Sequence, residues 1–214
     1  MSFIVAQAIT GLASAASLFL IAVGLSIVFG VTRVVNFAHG SLYMLGAYIA
    51  FSFVSVMGDS FLGYLLALLI AAVAVGLIGA VIETALLRRI YKAPELFQLL
   101  ATFGVVLIVQ DLTRSVWGPD DLFAPRMPGL NGAVDILGHA IPSYDLFLIG
   151  VSVGVLGGLW LLFQKTRFGV LLRAATEDRQ MVAALGIDQR WLFTAAFVLG
   201  SALAGLGGAL QLPR

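Results

Sequence analysis

Apolar residues run in long, nearly unbroken blocks along this chain, and polar residues gather in the gaps between them. Six blocks stand out, at 6–30, 41–57, 61–87, 96–116, 144–163 and 191–212. A helix needs roughly 17–25 such residues to cross the hydrocarbon of a bilayer, and the blocks are of that order. The gaps differ in character. Gly58, Asp59 and Ser60 make a tight turn. Arg88, Arg89 and Lys92 end the third block, and Pro94 closes the linker. Residues 117–143, WGPDDLFAPRMPGLNGAVDILGHAIPS, form a Pro/Gly-rich loop with three Asp and a single Arg. The longest polar run with helical character is 165–190, KTRFGVLLRAATEDRQMVAALGIDQR.

That run predicts two short helices, at 168–175 and 179–185, interrupted by Thr176, Glu177 and Asp178 and stopped at Gly186. Leu171, Leu172, Ala175, Met181, Val182 and Leu185 give it an apolar side, while Arg173, Glu177, Asp178 and Arg179 give it charge. A bent helix pair of this kind suits docking into another protein's groove, whereas a plain solvated loop has no use for the apolar side.

Composition places the whole chain in lipid. It is 61% hydrophobic and 11% charged, with a mean hydropathy of +1.06. A soluble domain cannot hide that much apolar surface, so the expected fold is all-α: a polytopic transmembrane helix bundle of about six spans, one domain over 1–214. The net charge of +1 gives no reason to expect nucleic acid. With no cysteine, disulfides, thiol catalysis and thiolate metal sites are excluded. The start, MSFIVAQAITG, lacks a basic leading region, so the first helix is expected to stay rather than to be cleaved.

Basic residues fix the orientation, because Lys and Arg collect on the cytoplasmic side. The 165–190 run carries Lys165, Arg167, Arg173, Arg179 and Arg190 against Glu177, Asp178 and Asp188. An even number of spans separates it from the Arg88, Arg89, Lys92 cluster, so both face the cytoplasm. Arg33 falls inside with them, and the 117–143 loop and the N-terminus fall outside.

Small residues four apart form ridges: Gly150, Gly154 and Gly158; Gly200, Ala204 and Gly208 beside Ser201, Gly205 and Ala209; and Ala72, Gly76 and Ala80. Lipid gives helices no hydrophobic reason to associate, so such ridges let backbones approach. Packing within the chain is the first expectation for them and a subunit interface the second.

The segment 30–46, GVTRVVNFAHGSLYMLG, is neither a proper loop nor a proper helix. Two readings are open: an interfacial turn in which Asn36 caps the next helix, or a broken helix lining a polar path with Asn36 and His39. His39 is a poor metal ligand, since the other histidine, His139, lies in the outer loop; no metal site and no catalytic residue is expected. In the fourth block Asp111 and Arg114 stand three apart and are expected to pair, as is Glu83 with Arg88 and Arg89.

The pattern TRFGxxxRAxxxDxxxxAxxGI, here 166–187, resembles the coupling loop of ABC-importer permeases, and more narrowly the branched-chain amino acid permease family. Three further stretches match the same family in collinear order: GLSIVFGVTRVVNFAHGSLYMLGAY (24–48), ATFGVVLIVQD (101–111) with WGPDD (117–121), and FVLGSALAGLGGAL (197–210). The resemblance implies that Gly169, Arg173, Ala174, Asp178, Ala184 and Gly186, with Glu177 among them, meet a nucleotide-binding subunit. It implies that Asn36, Phe37, Ala38, His39 and Gly40, the NFAHG-type signature, border the translocation path, which favours the broken helix, with Asn36, His39 and Gly40 as path residues.

It further implies a second permease subunit, cytoplasmic ATP-binding subunits, a periplasmic substrate-binding protein and a lipid environment in a bacterial inner membrane. No cofactor is implied in this chain, since ATP belongs to the partner. The family continues beyond this point with further helices, while this chain ends at Leu212, Pro213, Arg214; a truncated sequence or a reduced variant is expected. No GxxxxGK[ST] phosphate loop occurs, which suits a permease driven by a separate ATPase. An ion-coupled secondary transporter or channel would call for carboxylates near the bilayer midplane, where Glu83 and Asp111 do not fall, and a membrane enzyme for clustered Asp, His or Glu. Leucine, isoleucine and valine are the substrates the resemblance implies first; urea and amides are those of near relatives.

Overall fold

The computed structural model describes residues 2–136 and 138–213. In chain order it contains α1 (Ser2–Thr32), α2 (His39–Met57), α3 (Phe61–Ile82), a π-helical turn Glu83–Leu87, α4 (Arg88–Ile90), α5 (Glu95–Trp117), β1 (Ala133–Ile136), β2 (His139–Pro142), α6 (Ser143–Lys165), α7 (Arg167–Glu177), α8 (Arg179–Ala184) and α9 (Gln189–Leu210). Among the described residues six helices are long and apolar enough to cross a membrane, α3 and α4 being one of them across the π turn. The protein is an all-α, multi-pass membrane bundle.

The bundle is built around α9. Of that helix's most apolar stretch two thirds is buried (67%), against 17–39% of the corresponding stretches of the others. Small residues make this possible. A Cβ on Gly200 would lie 2.6 Å from the Gly24 carbonyl oxygen of α1, and one on Gly205 would lie 2.6 Å from Val75 Cβ of α3. A Cβ on Gly208 would overlap the Tyr43 carbonyl of α2, and one on Gly46 of α2 would overlap the Gly205 backbone. Three helices thus meet α9 at backbone distance, which is how dispersion replaces the missing hydrophobic drive in lipid. Gly76 of α3 sits against Val198 and Ala202 in the same way.

The α6 ridge behaves otherwise. Gly150, Gly154, Gly157 and Gly158 have nothing within 4 Å of a built Cβ. The expectation of intramolecular packing therefore holds for α3 and α9 and fails for α6, which lays its Ser152 face on α1 (Ser152 Oγ to Ala16 O, 3.1 Å) and turns its glycines outward.

The two ends of the bundle separate as the charge pattern predicts. At one end lie Arg33, the Arg88–Ile90 turn and α7–α8; Arg33 Nη2 to Thr176 O at 3.2 Å and Arg179 Nη2 to Val31 O tie the helix pair to the end of α1. At the other, Phe3 packs edge-on against His139, which puts the start of α1 beside the acidic loop. That loop is not wholly irregular. Residues 133–136 and 139–142 pair antiparallel around Gly138, whose φ of +82° suits glycine, and Gly138 N donates to Asp135 Oδ1 at 2.8 Å. Leu137 in that loop, together with Met1 and the terminal Arg214, lies outside the described residues.

Asp111 and Arg114 do not form the expected ion pair; among the described residues the ion pair is Glu83–Arg88. Both are exposed at the outer end of α5, where water leaves such a pair worth little.

Candidate functional site

α1 ends where its backbone can no longer stay helical. Arg33 takes φ +54°, a left-handed conformation uncommon for a residue with a side chain. From there 33–38 runs without helix back into the bundle, and α2 restarts at His39. The depth follows from one contact: His39 Nε2 lies 3.1 Å from Ile21 O. Ile21 is eleven residues before Thr32, so at 1.5 Å per residue the His39 imidazole reaches a level about 16 Å inside the end of α1. The segment 33–38 is an irregular, re-entrant stretch between α1 and α2.

Its polar groups face inward. Asn36 and His39 are each 3% exposed. Asn36 does not cap α2 in the expected way: its Oδ1 accepts from Ala38 N at 3.1 Å, a local turn, and the cap position Ala38 has no side-chain bond. Asn36 Nδ2 and His39 Nδ1 are buried without a partner. Thr102 of α5, fully buried, accepts from Phe37 N at 3.4 Å. Gly40 is exposed and has nothing within 4 Å, so no close approach requires glycine there. The segment therefore carries one free amide donor and one free imidazole nitrogen in a buried setting, and can hydrogen-bond a polar solute or water.

The helix pair at the basic end forms where the sequence suggests, but α7 runs longer, through Glu177, so that Asp178 alone breaks it. Asp178 is extended (φ −141°, ψ 101°), and its Oδ1 accepts from Gln180 N and Met181 N at 2.8 and 3.0 Å, capping α8. Gly186 closes α8 with φ +76°. Thr166 caps α7 through Gly169 N at 3.1 Å.

The expected docking residues divide into two groups. Leu172, Ala175 and Val182 are buried in the bundle with Leu192 and Phe193, so they anchor the pair. Gly169 belongs with them, since a Cβ there would overlap the Leu162 carbonyl and the Phe163 backbone at the end of α6. Arg173, though exposed, donates from Nη1 to Phe163 O. The outward surface is made by Val170 (52% exposed), Met181 (59%) and Leu185 (70%), with Ala174, Glu177, Asp178, Ala184 and Gly186 exposed around them. Val170 went unremarked in the sequence because it stands one position off the face that carries Leu171 and Leu172.

A second group was only partly foreseen. The Glu83–Arg88 pair itself was expected and forms; what was missed is its setting, with Glu83 fully buried in the π-helical turn. Its carboxylate accepts from Arg88 Nη2 at 3.0 Å, from Tyr91 Oη at 3.1 Å and from Thr194 Oγ1 of α9 at 2.7 Å. Arg88 Nη2 also reaches Thr194 Oγ1 at 2.6 Å. Arg89, expected to share the pairing, does not. Tyr91 stacks edge-on against Phe193, and the Arg179 guanidinium lies 5.1 Å from the Phe193 ring centre. Burial and the Glu83 charge push the Tyr91 phenol up; burial and the neighbouring Arg33 push the Arg179 guanidinium down. Among the described residues no three His, Asp or Glu side chains gather in metal-binding geometry.

A multi-pass bundle with a re-entrant polar segment, and with an amphipathic helix pair held at its basic end, has the construction of a membrane permease. The comparison with known families makes this specific. Residues 7–214 match the family described as branched-chain amino acid transport system / permease component, and the chain belongs to that family.

Curated relatives carry corresponding names. The high-affinity branched-chain amino acid transport system permease protein BraD of Pseudomonas aeruginosa is 29% identical over 95% of this chain and 69% of its own length. Protein LivH of Escherichia coli K12, of the same description, is 28% identical over the same shares. The probable branched-chain amino acid transport permease protein LivH of Methanocaldococcus jannaschii is 30% identical over 90% of this chain and 61% of its own. No solved structure matches the chain.

Proposed function

We propose that this chain is the permease subunit of an ATP-driven importer for branched-chain amino acids, working in a bacterial inner membrane with a second permease subunit. A periplasmic binding protein would deliver substrate to the end carrying the 117–143 loop, and a cytoplasmic ATPase would act on α7–α8. The chain holds no ATP itself. The observation that carries the ATPase contact is the division of the helix pair: one side anchored in the bundle, the other exposing Val170, Met181 and Leu185 beside charged residues. The relatives' names support the substrate class.

The test uses the outward residues, because Arg173 also holds the end of α6 and a change there would confound two roles. With Met181→Glu and Leu185→Glu together, the ATPase subunits are expected to co-purify more than tenfold less, since each apolar side chain buried on docking is worth about 1.5–3 kcal/mol. Membrane insertion and thermal stability of the chain alone should be unchanged. Undiminished ATPase capture would remove α8 from the contact.

For the path, the free polar atoms of the re-entrant segment support Asn36 and His39. Replacing His39 with Ala is expected to lower transport in reconstituted vesicles by roughly tenfold or more, the scale of one buried hydrogen bond of about 1.5 kcal/mol. Transport at the parental rate would return the segment to a structural turn.

A further inference from the structure

Beside the Glu83 network the basic end forms an open cavity of about 440 Å³. Arg88, Arg89, Lys92, Arg179 and Arg190 line it, and Glu83 is the carboxylate among its lining residues. That carboxylate is already engaged by Arg88, Tyr91 and Thr194, so it neutralises one cation and no more. The other four lack an anion. Among the described residues the side chains of Arg89, Lys92 and Arg190 make no hydrogen bond or ion pair, and Arg179 Nε is buried without a partner.

Gathering cations from three separate parts of the chain, α4 with its linker, α8 and the start of α9, sets like charges against one another. A generic basic rim would spread them along the surface instead. Arg88 and Arg89 lie in the last turn of the third apolar span, so the cavity sits at that span's basic end. Phe193 and Tyr91 give it an apolar wall. Arginine presents forked N–H donors matched to phosphate oxygens, and basic pockets between helices on the cytoplasmic side are where anionic headgroups are held.

We propose that this cavity binds the phosphate of an anionic ligand, drawn from a phospholipid headgroup of the adjoining leaflet or from free phosphate. Bound there, the phosphate joins α8 to the α4–α5 linker and offsets the repulsion among the four cations. The inference concerns this chain's own residues and stands apart from the substrate it carries.

The experiment uses the full chain in nanodiscs of phosphatidylcholine with increasing phosphatidylglycerol. Thermal unfolding and native mass spectrometry of retained lipid are the readouts, and a parallel titration in detergent uses inorganic phosphate. The parent is compared with Arg89→Gln/Lys92→Gln/Arg190→Gln, and with Lys165→Gln/Arg167→Gln at the same end outside the cavity. A saturable rise in unfolding temperature with phosphatidylglycerol is expected. The triple variant should weaken the half-saturation point on the order of a hundredfold, at about one cation per fivefold, with the double variant near the parent. Protection by inorganic phosphate that the triple variant loses makes the soluble anion the ligand; protection by lipid alone makes it the headgroup. Equal weakening in both variants would reduce the site to diffuse surface charge, and no saturable response in either titration overturns it.

Discussion

A Glu83→Ala chain is expected to lose about 2–4 kcal/mol of stability, read as a lower unfolding temperature in detergent. Burial decides the size. Glu83 is fully buried, and three donors from two helical elements and the linker converge on its carboxylate. Removing one partner of a buried pair costs about 3–5 kcal/mol because the other charge is stranded. Arg88 is 35% exposed on its side chain, so it can turn toward headgroups or water, which lowers the figure. The hydroxyls of Tyr91 and Thr194 lose their acceptor as well, at about 1 kcal/mol each.

Glu83→Gln keeps the shape and one acceptor and should lose roughly half as much. Parental stability in both variants would show that the carboxylate is not what joins α3 to α9. The same network predicts a functional side effect. Thr194 sits one residue after Phe193, on whose ring Arg179 of α8 rests. Loosening Glu83 therefore loosens the seat of the helix pair.

Adding one side chain in the helix seams should do still more. In Gly208→Val, a branched side chain would have to occupy the volume of the Tyr43 backbone, and in Gly46→Val that of Gly205. A flexible side-chain tip can move aside by a few tenths of an ångström, but a helix backbone moves only as a whole, taking its other contacts with it. Overpacking of this kind costs 1–3 kcal/mol even in yielding cores; here both partners are main chain, and loss of the folded form is the expected result. Size-exclusion profiles and protease resistance in detergent would read it. Gly154→Val on α6 is the internal comparison: nothing stands within 4 Å of its Cβ, so a change within about 0.5 kcal/mol is expected. Equal behaviour of the α9 and α6 variants would dissolve the distinction between the seams.

Much of the architecture could be read from the chain because the bilayer leaves so few choices. Apolar length located all six spans, and the basic clusters placed their ends. The break at Asp178 and the stop at Gly186 were legible because a capping carboxylate and a glycine have local reasons to sit there. What stayed hidden depends on contacts far apart in sequence. The π turn lies inside an apolar run that reads as ordinary helix, and Glu83 read as a local partner of Arg88 and Arg89 because Thr194, its partner across the bundle, is 111 residues away. The re-entrant course of 33–38 was half legible: its polar residues were conspicuous, while its depth rests on the single contact of His39 with Ile21. Glycines on α6 and α9 have the same spacing, and spacing cannot tell which seam is filled.

Of the candidate site residues, Arg173 and Gly169 follow a pattern that also serves the inner packing of α7 on α6. The outward-facing set, Met181 and Leu185 together with Val170, needed the fold to separate it from Leu172 and Val182.

The central position of α9 also bears on how the chain is made. Synthesis runs from the N-terminus, so α1, α2 and α3 leave the ribosome well before the helix that fills the space among them. About 120 residues separate the end of α4 from the end of α9, a delay of roughly 6–24 s at 5–20 residues per second. During that interval Gly24, Gly46 and Val75 face lipid or one another rather than their eventual partner. An insertion chaperone or quality-control protease in the membrane would meet a nascent chain whose first three spans are complete in composition yet lack their centre.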